Sequence, residues 1–466
     1  MPETLLPKNY YVFVAVLTAQ FGIFLSGVYY SWSSPVLVKL ASLDDNPLGR
    51  IITPSEQVWI LTIGVFGMWM GACLTGDLSR RIGRRPTLIT MTLPLLVSFV
   101  MLAFAKHIWL MYLARALGGI TNGGMFTLLP IYSGEVADPK NRGILGAALN
   151  LFLNVGLLFS FCLGPYTTYK MFNLALTFCA LLYTILILLI IPESPYYLVE
   201  KDVDRAEKIL KRLRGQDDVK QELKQIQQYT ELEAGDKGTF SEIIKSKTIR
   251  KSLIIGIGLS CFQQSTGISV IMGFGQMIFE EVDGFLSSDL SLIVLGFSQV
   301  LFGIVAPIFT NRFGRKSLLI SSYSGIAISL ICFGVYFIMK QLDVSVYGIS
   351  WLPLTSLIVY MFAFGIGAGA VTFIVVGEIF PSSVKGIGTS VANILASITG
   401  MVLANGYTIF KESIGIGFTF WILGCFGIIA SIFSAFCVVE TKGKTLKEIQ
   451  EILDKAERRN IQPIEL

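Results

Sequence analysis

Charge is the scarcest ingredient of this chain. Asp, Glu, Lys and Arg make up 15% of its 466 residues, while 53% are apolar; an average soluble domain carries about 25% charged residues. So few charges cannot clothe the surface of two or three soluble domains, and the mean hydropathy of +0.66 agrees. Histidine occurs once, as His107, which argues against histidine-based catalysis and a histidine metal centre. The seven cysteines, from Cys73 to Cys437, all lie inside apolar stretches without C-x-x-C spacing. They read as small buried hydrophobes and exclude a disulfide-built secreted fold. No G-x-x-x-x-G-K-[ST] loop occurs in the charged middle of the chain, which argues against an ATP-driven pump. Nor does any nucleophile–base or metal constellation stand out, so neither an enzyme nor a cofactor is expected. The net charge of +5 matches basic residues retained on one side of a membrane better than nucleic-acid binding.

What the chain has in abundance is long apolar runs. They fall at 11–35, 57–76, 87–105, 108–131, 144–165 and 172–191, and again at 253–279, 289–309, 317–339, 351–376, 386–409 and 416–438. A membrane span needs about 20 residues, so twelve would use about half of this length. The first run lacks a small-residue cleavage site and is expected to remain as an uncleaved span. Arg80, Arg81, Arg84 and Arg85 follow the second run, Lys140 and Arg142 the fourth, Arg312, Arg315 and Lys316 the eighth, and Lys385 the tenth. The alternate loops carry Asp44, Asp45, Glu280, Glu281 and Asp283. This bias places the basic loops and both termini in the cytoplasm.

The expected organisation is a six-helix bundle over 1–191, a cytoplasmic segment over 192–250, a second bundle over 251–438 and a tail over 439–466. In the middle segment Ala206, Ile209, Leu210 and Leu213, then Val219, Leu223 and Ile226, fall at helical spacing. They predict short amphipathic helices against the cytoplasmic face, the alternative being a solvated linker.

Three marks in the second half repeat the first. Arg81-Ile82-Gly83-Arg84-Arg85 returns as Arg312-Phe313-Gly314-Arg315-Lys316. Glu135 before Arg142 returns as Glu378 before Lys385, and Glu193-Ser194 as Glu440-Thr441. All lie on one side, so the repeat is parallel, the arrangement of carriers whose halves alternate access to a midplane site. Asp77, Arg81, Arg85, Glu135, Arg142, Glu193, Arg312, Arg315, Glu378, Lys385 and Glu440 form a candidate cytoplasmic gate. The expectation is pairing across the bundles by ion pairs weak enough to break; the alternative is that they anchor helix ends at the headgroups.

Uncompensated polar groups in hydrocarbon cost several kcal/mol, so amides inside spans need a reason. Gln263-Gln264-Ser265-Thr266-Gly267-Ile268-Ser269 lies near the middle of the seventh run, Gln299 in the eighth, Asn150 and Asn154 in the fifth, and Asn393 in the eleventh. Amides donate and accept without charge, which suits a neutral, many-hydroxyl solute. For Asn154 and Asn393 interhelical bonding is the stronger reading, and for Gln263 and Gln264 a substrate cavity. Gly365-Ile366-Gly367-Ala368-Gly369 is expected to loosen the tenth span. Spans 1, 2, 3 and 7 have no acid near their centres, so proton coupling lacks its usual carrier.

These marks resemble the sugar porter family of the major facilitator superfamily over nearly the whole chain. The resemblance is carried by Gly76-Asp77 through Arg84-Arg85, Arg115 with Gly118-Gly119, Glu135 to Arg142-Gly143 and Pro192-Glu193-Ser194-Pro195. It continues in Gln263-Gln264, Gly267-Ile268, Arg312 to Lys316, Gly377-Glu378-Ile379-Phe380-Pro381 and Glu440-Thr441-Lys442-Gly443. Within the family, span 1 with Ser33-Ser34-Pro35 is similar to insect facilitated trehalose transporters. The resemblance implies an all-α fold of twelve transmembrane helices in two six-helix bundles, with cytoplasmic helices between them. It also implies sugar binding between the bundles by Gln263, Gln264 and Gln299. The family's span-5 glutamine becomes Asn150, the asparagine closing the span-7 motif Ser269, and the sugar-stacking tryptophan Phe373. The nearby prolines become Ala370 and Thr372, and a span-11 asparagine-tryptophan pair becomes Ala396-Ser397. Phe24-Leu25-Ser26 stands where proton-coupled members carry an aspartate.

The expected function is therefore facilitative uniport of a neutral sugar, trehalose or a hexose, by a monomer in the cell membrane. A sugar sensor with little transport, or a carrier of another neutral polar solute, are the alternatives.

Overall fold

A computed structural model of the chain describes residues 10–138, 141–235, 247–444, 448–449 and 451–452, and among them all regular structure is helical. The chain divides into two units, Met1–Gly235 and Asp236–Leu466. The first holds α1 (Tyr10–Ser31), α2 (Ser33–Ala41), α3 (Pro54–Ile82), α4 (Arg84–Ala103), α5 (Ile108–Val136), α6 (Arg142–Leu163) and α7 (Tyr169–Ile190). Three shorter helices follow: α8 (Pro195–Val199), α9 (Val203–Arg214) and α10 (Lys220–Gly235). The second unit holds α11 (Lys247–Ser265), α12 (Ile268–Glu280), α13 (Ser288–Arg312), α14 (Arg315–Gln341), α15 (Leu352–Ala363), α16 (Val371–Ile379), α17 (Ser382–Ile414) and α18 (Ile416–Phe436). A π-helical turn, Phe364–Gly369, separates α15 from α16.

Eleven helical stretches among the described residues are long and apolar enough to cross a membrane. α1 with α2 forms one, α11 with α12 another, and 347–379 a third. The remaining expected span, 108–131, folds as the 29-residue α5 but is not among the eleven. Its run of glycines with Arg115 and Asn122 dilutes the apolar content. The chain is a polytopic helical membrane protein.

Local sequence sets the helix starts. Thr53 and Glu56 form a reciprocal capping box before Pro54, closing the start of α3. Ser287 and Thr168 accept from Leu290 N and Met171 N to start α13 and α7. The described part of the charged middle segment is helical. Asp202 caps α9, Gly215 ends it in the left-handed region, and Leu198, Ala206, Leu210, Val219, Leu223 and Ile226 form one small core across α8–α10. Arg214 ties this cluster to the end of α5, donating to Val136 O at 2.9 Å and pairing with Asp138 and Glu222. The helices of 192–235 thus belong with the first unit, and the remainder of the expected linker, up to 246, lies outside the described residues.

Two features of the first unit explain its composition. α3 and α5 pack backbone to backbone: a methyl group at Gly67, Gly71, Gly119 or Gly123 would meet a carbonyl of the facing helix. Such close approach, open only to small residues, is how helices associate where lipid supplies no hydrophobic drive. The second is Arg115, 2% exposed, beside the break between α1 and α2 at Trp32. It donates to Tyr29 O at 2.8 Å and Ile60 O at 3.1 Å, and its guanidinium lies 4.0 Å from the Tyr29 ring centroid. Trp32 in turn donates to Asn173 Oδ1 at 2.9 Å.

Gly71 and Gly76 lie on the same helix in opposite settings: a Cβ at 71 strikes the Ile120 backbone, and one at 76 meets nothing within 4 Å. Gly71→Ala should therefore cost about 2–3 kcal/mol or prevent folding. Gly76→Ala should be neutral or stabilise by up to about 1 kcal/mol through helix propensity. Thermal melts of the two purified variants check this contrast.

Candidate substrate site

The seventh span, read from sequence as one helix, is broken. α11 ends at Ser265, Gly267 takes a left-handed conformation (φ 84°), and α12 restarts at Ile268. A residue with a Cβ is disfavoured there, and the break frees backbone groups that hydrocarbon cannot satisfy. Neighbouring side chains take them. Thr266 Oγ1 donates to Gln263 O at 2.8 Å, and the Tyr360 hydroxyl of α15 donates to Thr266 O at 3.2 Å.

The two glutamines divide at this break. Gln263 is buried, and its Nε2 donates to Ala368 O at 2.7 Å and to Gly369 O at 3.3 Å, the last carbonyls of the π-helical turn. Its donor is committed to holding the tenth span. Gln264 is half-buried; its Oε1 accepts from Ser269 Oγ at 2.8 Å, and the pair sits against Gly400 of α17. The Gln264 amide nitrogen stays available for a hydroxyl oxygen, and Gln264 is the better placed of the two to meet a solute.

Each of the other expected substrate residues is placed by its own helix. Gln299 lies half-buried on α13, Phe373 is 60% exposed on α16, and Asn150 is exposed on α6 of the first unit. Asn154 is buried, in keeping with a packing role, while Asn393 is exposed. The structure thus joins Gln264 with Ser269 and places Gln263 beside them. Tyr360 supports the break and Ser322 the π turn, and neither belongs to a motif in the sequence. Their signal is the break itself, since Gly267 and the 365–369 glycines mark where backbone groups are released.

The repeated charges form two matching networks, one drawn from residues of each unit. In the first, Arg84 grips Glu135 with two bonds, Nη2 to Oε1 at 2.7 Å and Nε to Oε2 at 3.0 Å, and donates to Ser79 O at 3.2 Å. Glu193 Oε1 accepts from the backbone N–H of Arg84 at 2.8 Å and of Arg85 at 3.2 Å, capping α4. In the second, Arg315 faces Glu378 at 3.8 Å and donates to Thr310 O at 2.7 Å, while Thr441 donates to Glu378 Oε2 at 2.6 Å. Glu440 accepts from Arg315 N at 2.9 Å and Lys316 N at 3.2 Å, capping α14. Where pairing across the halves was expected, Glu135 and Glu378 each find their arginine nearby, and Glu193 and Glu440 serve as helix caps.

Arg84, absent from the candidate gate, is the partner of Glu135; aligning the repeats equates it with Arg315 and would have found it. Asp77 pairs with Arg81 at 2.8 Å on the exposed end of α3. Arg85 donates to Leu188 O at 2.7 Å. Arg312 and Lys385 are exposed, and the side chain of Arg142, the first residue of α6, lies outside the described residues.

The two caps differ electrostatically. Burial pushes the Glu193 carboxyl above its ordinary value despite amide donors from Ser194, Arg85 and Arg84. At Glu440 burial also acts upward, but the amides of Lys442, Arg315 and Lys316 with the Arg315 charge together hold the carboxyl below it.

Two helical units with interrupted spans, neutral amides at one interruption and a repeated charge network describe a polytopic carrier of small solutes. The profile of the family described as Sugar (and other) transporter matches residues 14–453. The chain belongs to that family. It is 33% identical over 444 residues to the facilitated trehalose transporter Tret1 of Apis mellifera ligustica, covering 94% of this chain and 87% of that one. Against Tret1 of Aedes aegypti it is 31% identical over 97% of its length but spans only 57% of that longer relative. Among solved structures it resembles the inward-open xylose transporter XylE from E. coli, with a TM-score of 0.80 and 24% identity over 95% of this chain and 99% of that chain. An auto-inhibited POT family peptide transporter, 12% identical over 93% of this chain and 99% of that chain, gives a TM-score of 0.63. The fold is that of the major facilitator carriers. Because peptide and sugar carriers share it, the solute must be argued from side chains.

A folded-state carboxyl below its ordinary value contributes stability at neutral pH that is lost as pH falls through it; one above contributes most when protonated. Glu440→Gln should lower the melting temperature at neutral pH and converge with the wild type as pH falls through the carboxyl range. Glu193→Gln should cost less at neutral pH. Melting curves of both variants across that range check the contrast, and equal, pH-independent losses would contradict it.

Proposed function

We propose that this protein is a facilitative carrier of a neutral sugar, working by alternating access without ion coupling. The observation that carries the reading is the Gln264–Ser269 pair at the break of the seventh span: an uncharged acceptor–donor pair beside an amide nitrogen with no partner among the described residues. Such a group can satisfy a hydroxyl as donor and acceptor at once, and it leaves a carboxylate or ammonium solute uncompensated. The relatives named facilitated trehalose transporters favour a disaccharide, with hexoses as the other candidates. Ser269 and Phe373, smaller than the residues the family carries there, are compatible with a roomier site. The lack of acids near the centres of spans 1, 2, 3 and 7 supports uncoupled movement down a gradient. The charge bias supports an orientation with both termini in the cytoplasm; the reading is of a monomer in the cell membrane.

Purified protein in liposomes, offered labelled trehalose, glucose and a panel of acyclic polyols, tests the reading. Saturable uptake of a sugar is expected, and Gln264→Ala should raise KM about tenfold, the worth of one or two hydrogen bonds. Absence of saturable uptake of any sugar would overturn it, and an unchanged KM in Gln264→Ala would move the site elsewhere.

A further inference from the structure

Ser322 belongs to none of the motifs that mark this family, yet it is one of the most enclosed polar groups in the second unit. It lies on α14 at 0% exposure. Its hydroxyl donates to Ala363 O at 2.6 Å and accepts from Ala368 N at 2.9 Å. Those two backbone groups stand five residues apart, the spacing of a π turn: Ala363 immediately precedes the turn Phe364–Gly369 and Ala368 lies near its end. The hydroxyl therefore bridges both ends of the turn from a neighbouring span, using both of its hydrogen-bonding roles. Gly367 makes this approach possible: a Cβ there would collide with Ser322 and with the Leu318 carbonyl.

The same turn presents the carbonyls of Ala368 and Gly369 to Gln263 Nε2. Ala368 thus receives Ser322 on its N–H and Gln263 on its carbonyl. The chain of contacts runs from Ser322 through one residue of the tenth span to the glutamine, and on to Gln264 and Ser269.

We propose that Ser322 is a positioning residue for the substrate site: by fixing the π turn it fixes the carbonyls that hold Gln263, and so the orientation of the amide pair at the break. This inference rests on the sugar reading of that site. Without the hydroxyl, Ala363 O and Ala368 N lose a shared side-chain partner in a dry setting, and the turn is free to shift. The carbonyls presented to Gln263 then move, and the glutamine loses its fixed orientation. Ser322 itself touches no solute.

A double-mutant cycle on equilibrium binding of the best transported labelled sugar tests this. Ser322→Ala should weaken binding about five- to tenfold in the wild-type background and less than about twofold in a Gln263→Ala background, because its effect passes through that glutamine. Ser322→Cys, which keeps a weak donor and acceptor, should lie between, and it serves as the second variant should Ser322→Ala not fold. Thermal melts report folding of each variant separately. Equal losses in both backgrounds, or unchanged binding in a folded Ser322→Ala, overturn the inference alone. A wild-type protein that binds no sugar overturns the sugar reading and the inference with it.

Discussion

In hydrocarbon a helix can be interrupted only where side chains take over the backbone groups it releases. That constraint organises this molecule more than any single contact. Between α1 and α2 the interruption is held by Arg115, whose guanidinium takes the Tyr29 and Ile60 carbonyls and lies over the Tyr29 ring. Between α11 and α12 it is held by Thr266 and Tyr360, and at the π turn by Gln263 and Ser322. Several polar residues of the spans stand where the backbone needs them, and the proposed solute site is built from what those duties leave over. Gln263 is largely spent on the tenth span; Gln264 retains hydrogen-bonding capacity.

The repeated charges obey a related rule at helix ends. Arg84 with Glu135 and Glu193, and Arg315 with Glu378 and Glu440, occupy matching positions, down to the carbonyls of Ser79 and Thr310 that each arginine also holds. The carboxylates of Glu193 and Glu440 satisfy N–H groups at the starts of α4 and α14, where the helix dipole favours negative charge. Gly83 and Gly314 precede those helices because a Cβ at either would strike the capping carboxylate. The halves are not equal in tightness. Arg84 holds Glu135 by two short bonds, whereas Arg315 stands 3.8 Å from Glu378 and Thr441 takes the other oxygen. The first network is more enclosed and costs more to open.

Much of this was legible in sequence, for identifiable reasons. Span positions follow from apolar length, and the α9–α10 stripes from helical period; Ala206, Leu210, Leu213, Val219, Leu223 and Ile226 are all buried. The glycine run 365–369 coincides with the π turn. What did not show is how polar groups are shared out. Two adjacent glutamines look alike in a sequence, yet adjacent residues point about 100° apart on a helix, so one meets the tenth span and the other Ser269. Arg84 was passed over beside Arg85 for the same reason. Ser322 and Tyr360 carry no signature because their partners are backbone atoms of distant residues.

The account reduces to one chemical statement: a carrier whose site is built from neutral amides and hydroxyls, with no acid near the centres of spans 1, 2, 3 and 7, moves its solute without a coupled proton. The direct measurement is the steady-state level of labelled sugar inside proteoliposomes with and without an imposed pH gradient. The account predicts that the internal concentration rises to the external one and stops there, whichever way the gradient runs. Accumulation above the external concentration, collapsed by a protonophore, would contradict it.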